Sequence, residues 1–335
     1  MLFLFGGTVV RFWSFVCQRG AGRNEGGAEF KRDATQSFYV PGDGTSNIVY
    51  AANHIPLVFW GEPFEADIIV ASDIGTNISR YSKEGALVWR VVTYPRTVRA
   101  IDIQGGYVVA FAQNDKLTID IASGLVRKEE SGQELYLFNK KIKGTQLVGL
   151  NDAGVGTIYI NGKKLPYQTQ WARDAIINRG KLYVSDTFGH RVMIFNLKKL
   201  KLLGQKNFYY PNDLLVMNGR VLVVEEHGNR VVDVESGRIE FACPLWVYMQ
   251  RQKSIMEMEG LVLKYNGPNG EGRCAREFMG QNTLYSANGA VSTANTLIVA
   301  DTDNHRVIAV KDGAVVTELL NINNPVRVML VPEKL

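Results

Sequence analysis

A motif that occurs three times at nearly regular spacing constrains the fold of this chain more than any other feature. In each copy an apolar run ends in an acid and an arginine follows five residues later; the copies span residues 182–192, 222–231 and 297–307. The interval from Asp186 to Glu225 is 39 residues and that from Glu225 to Asp301 is 76. One period of about 38 residues fits both intervals, and this length is typical of propellers and solenoids.

The same period predicts strands where the motif is weak or missing. Three periods before Asp186, the apolar run 68–72 ends at Asp73 and Asn77 follows, which gives a degenerate fourth copy. Intermediate steps predict strands near residues 111, 149 and 263, and the chain has apolar runs at 107–111, 147–150 and 261–263. Seven positions of the repeat are therefore occupied.

One repeat unit has the pattern of a four-stranded meander. Between residues 211 and 241, four short runs rich in β-branched residues are separated by turns at 218–219, 227–228 and 236–237. Such units bury both faces of their sheets by stacking radially. The predicted fold is an all-β propeller of four-stranded blades, with seven blades favoured and six or eight left open.

The ends of the repeat region bear on how the ring closes. Residues 324–332 resemble the first strand of a further unit, and a terminal strand that pairs across the seam removes an open sheet edge. Residues 55–60 also look like a first strand for the unit at Asp73. These two candidates for one position are the reason the blade number stays open.

The motif resembles the NHL repeat, whose signature runs through valine, aspartate, a short turn, histidine or asparagine, arginine and valine. Residues 184–192 and 299–307 match it well, 224–231 match it moderately, and 70–77 match it least. The resemblance implies a β-propeller. It does not choose a function, because the family includes scaffolds, RNA binders and metal-dependent enzymes.

The acids and arginines of the motif are predicted to be structural. An acid at the end of one strand and an arginine at the start of the next can form a charge-assisted pair across the turn. Since a single active site would not need several copies, we expect structural clasps at Asp186–Arg191, Glu225–Arg230 and Asp301–Arg306. The residues concerned are Asp73, Asp186, Arg191, Glu225, Arg230, Asp301 and Arg306.

Candidate ligand-binding residues come from the starts of the first strands, which converge on the central channel of a propeller. They are Arg96, Trp171, Arg173, Asp174, Asn212, Asp213, Asn288 and Arg327. Arg, Asn and Asp side chains can hold an anion, a sugar or a peptide terminus, and a tryptophan supplies a stacking face. The competing interpretation is structural, because polar residues at channel mouths are ordinary in propellers.

Two metal-dependent enzymes are alternatives. Residues 211–213 resemble the calcium-binding strand of gluconolactonase-like propellers, but the sequence offers only Asn212, Asp213 and Asn288 as ligands and no channel glutamate. An amidating-lyase-like enzyme needs clustered histidines for zinc, and the chain has 4 His. We therefore expect no catalytic residues, no metal and no cofactor, with calcium implied only by the enzyme alternative.

The charge balance is mildly basic, at +5 with a pI near 8.9. Three lysine clusters, at residues 140–143, 163–164 and 198–201, are predicted near the outer edges of blades. Edge lysines discourage pairing between sheets of different molecules. This interpretation is favoured over nucleic-acid binding, and an NHL-type RNA-binding module is a further alternative.

Residues 1–46 precede the repeats and are predicted to form an aromatic arm and a Gly-rich linker, with the propeller spanning 47–335. Five large aromatics lie in residues 1–18, where an uncharged start, Gly6–Gly7 and Arg11 do not fit a signal peptide. The apolar run is also short for a membrane helix. We expect the arm to bury its aromatics on protein, in the cytoplasm or in an assembled particle.

These observations favour a non-catalytic, structural or scaffold subunit that works by protein–protein interaction. Its partners would contact residues 1–18 and a face of the propeller, and nucleic acid and membranes are disfavoured as partners. The arm would dock the propeller into a larger multi-subunit assembly. A virion or tail component would fit this pattern, as would a cellular scaffold.

Overall fold

The computed structural model describes residues 38–39, 57–72, 76–132, 135–152, 155–242, 284 and 286–333. The chain divides into two compact units, Met1–Thr35 and Gln36–Leu335, and every described residue belongs to the second. The predicted arm over residues 1–18, the acid Asp73 and the strand predicted near residue 263 lie outside the described residues.

The described residues form 26 β-strands and one turn of 3-10 helix, Thr302–Asn304. In chain order the strands are β1 (Phe38–Tyr39), β2 (Val58–Gly61), β3 (Ile68–Ser72), β4 (Asn77–Tyr81), β5 (Leu87–Val92), β6 (Val98–Gln104), β7 (Tyr107–Ala112), β8 (Asp115–Asp120), β9 (Val126–Glu130), β10 (Tyr136–Ile142), β11 (Thr145–Asp152), β12 (Val155–Ile160), β13 (Lys163–Lys164), β14 (Ala172–Asn178), β15 (Lys181–Asp186), β16 (Arg191–Asn196), β17 (Lys201–Asn207), β18 (Pro211–Met217), β19 (Arg220–Glu225), β20 (Arg230–Asp233), β21 (Ile239–Ala242), β22 (Gly289–Ser292), β23 (Thr296–Asp301), β24 (Arg306–Lys311), β25 (Ala314–Leu320) and β26 (Pro325–Leu330).

The strands build a β-propeller of six four-stranded antiparallel blades, which confirms the predicted all-β propeller. From the axis outward the blades are β26-β3-β4-β5 (blade 1), β6–β9 (blade 2), β10–β13 (blade 3), β14–β17 (blade 4), β18–β21 (blade 5) and β22–β25 (blade 6). Two further strands extend outer edges: β1 pairs in parallel with β5, and β2 pairs antiparallel with β25.

Burial follows the position of a strand in its blade. Every residue of β3 and of β23, both second strands, is buried, whereas the outermost strand β17 alternates exposed and half-buried residues. Second strands are covered on both faces because each sheet is packed between two others. The core therefore consists of apolar layers between successive blades, and one layer between blades 4 and 5 contains Tyr183, Ile194, Leu214 and Val223.

The ring is closed by strands from both ends of the described chain. β26 pairs antiparallel with β3, with Met329 opposite Ile69, so the prediction for residues 324–332 is confirmed. The prediction that residues 55–60 form a first strand is wrong. β26 occupies the position beside β3, and β2 lies instead on the outer edge of blade 6.

The propeller has six blades and not the favoured seven; six was one of the counts that the sequence left open. The strands predicted near residues 111 and 149 are the second strands β7 and β11. Blades 5 and 6 are direct neighbours, because Asp213 Oδ2 accepts from the Ala290 amide at 3.0 Å and Ser292 Oγ donates to the Val216 carbonyl at 3.0 Å. The 76-residue interval therefore contains one blade boundary, and its additional length includes residues 243–283, outside the described part of the chain.

The motif acid of blade 4 joins two segments of its blade. Arg191 Nε donates to Asp186 Oδ2 at 2.9 Å, across the turn between the second and third strands. The other oxygen, Asp186 Oδ1, accepts the backbone amides of Gln170 and Trp171 at 2.8 and 3.0 Å. The clasp thus fixes both the hairpin and the chain that enters the first strand. Arg230–Glu225 and Arg306–Asp301 repeat the ionic contact in blades 5 and 6.

The histidine or asparagine of the motif adopts a left-handed backbone conformation. His190, Asn229 and His305 have φ of 51°, 48° and 53°. Asn and His tolerate this region better than most residues, which explains why they alternate at this position. His190 Nδ1 and His305 Nδ1 also lie 3.4 and 3.3 Å from the backbone amides of Tyr210 and Asn324, each at the start of the following blade.

The clasps in blades 4 and 6 differ in burial, and this difference predicts unequal stability effects. Arg306 contacts two acids, Asp301 and Glu318, and the exposed fractions of the three side chains are 5%, 0% and 2%. Arg306→Ala leaves two buried carboxylates without their cation and should lower the free energy of unfolding by about 3–5 kcal/mol. The Arg191 side chain is 28% exposed, so Arg191→Ala should lower the free energy of unfolding by only about 1–2 kcal/mol. Urea unfolding of both variants measures the difference, and equal losses would contradict the clasp interpretation of Arg306.

Candidate functional site

Two cavities lie on the propeller axis. The motif face of the propeller carries the turns between second and third strands and the connections between blades. The motif-face pocket opens there, has a volume of about 350 Å³, and is lined by blades 4, 5, 6 and 1. The channel cavity, of about 610 Å³, lies between the first strands. The hairpin face, at the other end, carries the turns between first and second and between third and fourth strands.

The structure brings seven of the eight candidate ligand-binding residues to these cavities. Trp171, Arg173, Asn212 and Asn288 line the motif-face pocket. Asp174, Asp213 and Arg327 line the channel cavity. Residues of the two sets can be adjacent in sequence, as Arg173 and Asp174 are, and still line different cavities. The first strands contain β-bulges, for example between Ala172 and Asp174. A bulge redirects neighbouring side chains, here into two layers along the axis.

Arg96, the eighth candidate, lies apart from both cavities. Its guanidinium Nη1 donates to Asp115 Oδ2 at 2.6 Å and to Glu129 Oε1 at 2.7 Å, on the third and fourth strands of blade 2. This is the same kind of contact that the motif arginines make. The structure therefore places Arg96 in a clasp of blade 2.

A network of amides forms the floor of the motif-face pocket. Asn288 Oδ1 accepts from Asn212 Nδ2 at 2.8 Å and from Arg173 Nη2 at 3.2 Å. Asn212 Nδ2 also donates to Glu226 Oε2 at 2.7 Å, and Asn288 Nδ2 donates to Thr302 Oγ1 at 3.2 Å. These contacts join blades 4, 5 and 6, so the polar groups of the floor are held in place without a ligand.

Beneath the amides, two ion pairs join different blades within the channel. Lys140 Nζ contacts Asp174 Oδ1 at 2.5 Å, and Arg327 Nη1 contacts Asp213 Oδ1 at 2.7 Å. Arg327 Nη2 also donates to the Arg173 carbonyl at 3.0 Å. Arg327 belongs to blade 1 and its two partners belong to blades 5 and 4, so its side chain reaches across the axis. Arg327 lines the channel cavity, and the backbone carbonyl that it contacts belongs to Arg173, which lines the motif-face pocket.

The carboxyl groups of the channel have altered acidity. Burial raises the pKa of Asp213 to about 6; the charge of Arg327 opposes this shift and the nearby carboxylate of Asp174 adds to it. Burial also raises the pKa of Asp102, which lines the same cavity. The ionised form of a carboxyl is disfavoured where water is excluded and a second carboxylate is close.

The raised pKa of Asp213 predicts a pH-dependent stability. An unfolded Asp titrates near pH 4, so between about pH 4 and 6 the folded state holds more protons at this site, and stability falls as the pH rises. From about pH 5 to 7.5, wild type should lose on the order of 1 kcal/mol relative to Asp213→Asn. Urea unfolding across this range measures the difference.

A matched control is Asp120→Asn, since contacts with Ser123 hold the pKa of Asp120 at about 2 and its titration lies below the tested range. Stability curves of wild type and Asp213→Asn that stay parallel with pH would contradict the assignment.

An aromatic cluster covers the motif face at blades 4 and 5. Ring centroids are 5.6 Å apart for Trp171 and Phe188, 6.1 Å for Phe188 and Tyr210, and 4.1 Å for Tyr210 and His227. Tyr209 packs 5.4 Å from Tyr210. Phe188 and Tyr209 nevertheless expose 50% and 45% of their surface. We call these five residues the aromatic cluster.

Most of this surface was not predicted from the sequence. Of the five, only Trp171 was among the candidates. Phe188 and His227 both stand two residues after the acid of their motif copy. Asp303 stands at the same position in blade 6. The signal was present, because this turn position recurs with the repeat.

Among the described residues, no group of three or more His, Cys, Asp and Glu side chains is arranged to hold a metal ion. None of the helical segments in the described part of the chain is long and apolar enough to cross a membrane.

Comparison with known proteins identifies the fold. The sequence matches no protein-family profile, and no curated protein is a significant match. Among solved structures, a protein of unknown function from Bacteroides caccae has a TM-score of 0.53 and 14% identity, covering 80% of this chain and 99% of that one. A chain of the nidogen/laminin complex has a TM-score of 0.51 and 10% identity, covering 80% and 99%. At these identities the likeness shows the propeller fold alone.

Proposed function

We propose that this chain is a non-catalytic binding propeller that docks a protein partner on its motif face. The aromatic cluster is the observation that carries the proposal. Large aromatic side chains gathered on the surface beside a pocket are typical of interaction sites, where Trp and Tyr contribute much of the binding energy. Phe188 and Tyr209 are each about half exposed in the isolated chain. A partner that covered them would remove this apolar surface from water.

The motif-face pocket supplies the polar part of the proposed interface. Asn212 and Asn288 are fixed by their mutual contact, and Glu226 and Asp303 lie at the wall of the pocket. Groups that are already ordered lose little conformational entropy on binding. A side chain of the partner would enter the pocket while neighbouring residues cover the aromatic cluster.

The contacts of the proposed calcium ligands support binding over lactonase chemistry. Asn212 and Asn288 line the motif-face pocket, whereas Asp213 lines the channel cavity. Both Asp213 oxygens already have partners, since Oδ1 contacts Arg327 and Oδ2 accepts the Ala290 amide. Calcium needs six to eight oxygen ligands around one point. Asn212, Asp213 and Asn288 could converge on one calcium ion only if the contacts that now join their blades were broken.

We also assign the repeat to the NHL type as part of this proposal. Support comes from the motif order and from the recurrent geometry of its residues. Asp186–Arg191 and Asp301–Arg306 form equivalent ion pairs, and the histidine that precedes each arginine has the same left-handed conformation.

Removing the exposed aromatics should abolish binding on the motif face. The probe is a phage-displayed library of random peptides, selected on the wild-type chain. Selected peptides should bind the double variant Phe188→Ala, Tyr209→Ala at least roughly tenfold more weakly, because these side chains provide the buried apolar contact. Binding measured by fluorescence anisotropy of synthetic peptides gives the ratio.

The matched control is Tyr107→Ala, Leu125→Ala, which removes two side chains that are 41% and 53% exposed on blade 2. Its affinity for the same peptides should equal that of wild type. Selection that enriches no peptide, or peptides that bind both double variants alike, would refute the motif-face site.

The second part of the proposal concerns residues 1–18 and rests on sequence alone. Their five large aromatics would dock the propeller into a larger assembly, with a virion or tail particle among the candidates. Deletion of residues 1–30 should leave the melting temperature of the propeller unchanged and abolish its co-sedimentation with the native assembly. A truncated chain that still co-sediments, or that no longer folds, would refute the docking role.

A further inference from the structure

The positive charge of this chain is concentrated in two blades. Residues 136–207, which form blades 3 and 4, contain 13 Lys and Arg but only 3 Asp and Glu. The whole chain has a net charge of +5, so the remaining residues are net negative. An asymmetry of this size generates a local field that attracts anionic partners.

The fold collects most of these cations on the hairpin face. In an antiparallel meander, the turns between first and second strands and between third and fourth strands lie at the same end of the blade. Blades 3 and 4 place cations at all four such turns. We call the exposed ones the basic patch; they are Lys141, Lys143, Lys163, Lys164, Arg179, Lys198, Lys199 and Lys201.

Contacts between hairpins support this common location. Asn178 Nδ2, beside Arg179, donates to the Gly219 carbonyl in the first hairpin of blade 5 at 2.9 Å. Lys143 and Asn178 both line the channel cavity, so the first hairpins of blades 3 and 4 meet at the same end of the channel. The basic patch therefore faces one side of the propeller.

Acids do not neutralise the basic patch. Within the described residues, none of its eight side chains forms an ion pair. Glu235 of blade 5 contacts Lys181 and Lys206, which are outside the patch. Asp174 is paired with Lys140 in the channel, and Asp186 lies at the motif face. Elsewhere, exposed cations such as Lys128 and Arg127 do have acidic neighbours.

We infer that the basic patch binds the phosphodiester backbone of nucleic acid without sequence specificity. The cations are spread over four turns of two blades, an arrangement that matches a linear polyanion better than a single small anion. Seven of the eight are lysines, which contact phosphates as point charges and do not read bases in bidentate fashion. Binding would then depend strongly on salt and little on sequence.

The turns themselves favour nucleic acid over an anionic membrane. Their tips include Gly144, Gly162 and Gly180, and the fourth turn ends at the half-buried Leu200. Membrane-surface segments combine basic residues with large apolar side chains that enter the lipid. The tips of these turns have the charge without large exposed apolar side chains. Two of the three lysine clusters lie at outer edges as predicted, since Lys163–Lys164 is the outermost strand of blade 3 and Lys201 begins that of blade 4. The cluster at residues 140–143 lies instead at the end of the innermost strand of blade 3.

The test compares two variants with the same loss of charge. The patch variant carries Lys163→Gln, Lys164→Gln, Lys198→Gln and Lys199→Gln. The control variant carries Lys83→Gln, Arg127→Gln, Lys128→Gln and Arg238→Gln, at exposed cations of blades 1, 2 and 5. The probes are a fluorescein-labelled DNA duplex of about 20 base pairs and a single-stranded RNA of similar length, in about 50 to 200 mM salt.

Wild type should bind both nucleic acids with a Kd below about 100 µM at the lowest salt, with an affinity that falls steeply as salt rises. The patch variant should bind at least roughly tenfold more weakly and show a shallower salt dependence, while the control stays within about twofold of wild type. Vesicles of phosphatidylcholine and phosphatidylserine should not bind.

Absence of nucleic-acid binding by wild type, equal loss in both variants, or binding to the vesicles alone would overturn the inference. Circular dichroism and melting temperatures of the variants show that they are folded. The substitutions lie on the face opposite Phe188 and Tyr209, so peptide binding at the motif face reports independently on the proposed function.

Discussion

The pairing of β26 with β3 is the interaction on which the rest of the propeller depends. Each blade buries both faces against its neighbours, and this is true of blades 1 and 6 only if the ring is closed. The seam brings Pro325 opposite Ser72, residues separated by most of the chain. β2 adds a second crossing by pairing with β25. Main-chain hydrogen bonds at the seam thus cover the inner edge of β3 and hold closed a ring in which blades 1 and 6 bury the faces that an open array would expose.

The closed ring presents two chemically different faces. The motif face has the aromatic cluster and a polar pocket whose wall includes Glu226 and Asp303. The hairpin face of blades 3 and 4 has exposed lysine or arginine side chains at every turn. This separation follows from the repeat itself, because each kind of turn occurs at a fixed end of the blade. Substitutions at one type of turn therefore alter one face of the molecule and leave the other unchanged.

Sequence periodicity predicted the second strands well, and for a physical reason. These strands are buried on both sides, and in blades 4, 5 and 6 they end in the acid that pairs with the motif arginine, so their residues carry the strongest repeated signal. The blade number was harder to predict, since an interval of 76 residues equals two periods whether it contains a blade or an insertion. Contacts of Asp213 with Ala290 decide between these possibilities, and spacing contains no information about them.

The sites were predictable only in part. Arg173, Asn212 and Asn288 were found because first strands converge on the axis of any propeller. Phe188 and His227 were missed because the direction of a side chain in a turn depends on backbone angles that spacing does not specify. The lysines form three separate clusters in the sequence, and spacing does not show at which end of a blade each cluster lies. Residues 143 and 199 are far apart in sequence, and the alternation of hairpins places them on one face.

Arg327 gives the seam a consequence for biosynthesis. Its strand closes the ring, and its side chain reaches Asp213 and the Arg173 carbonyl beneath the motif-face pocket. β26 follows all other blade strands in the chain, so it is the last of them to leave the ribosome. Until β26 is present, Asp213 and the Arg173 carbonyl lack their guanidinium partner. The contacts beneath the motif-face pocket are therefore complete only when the ring is closed.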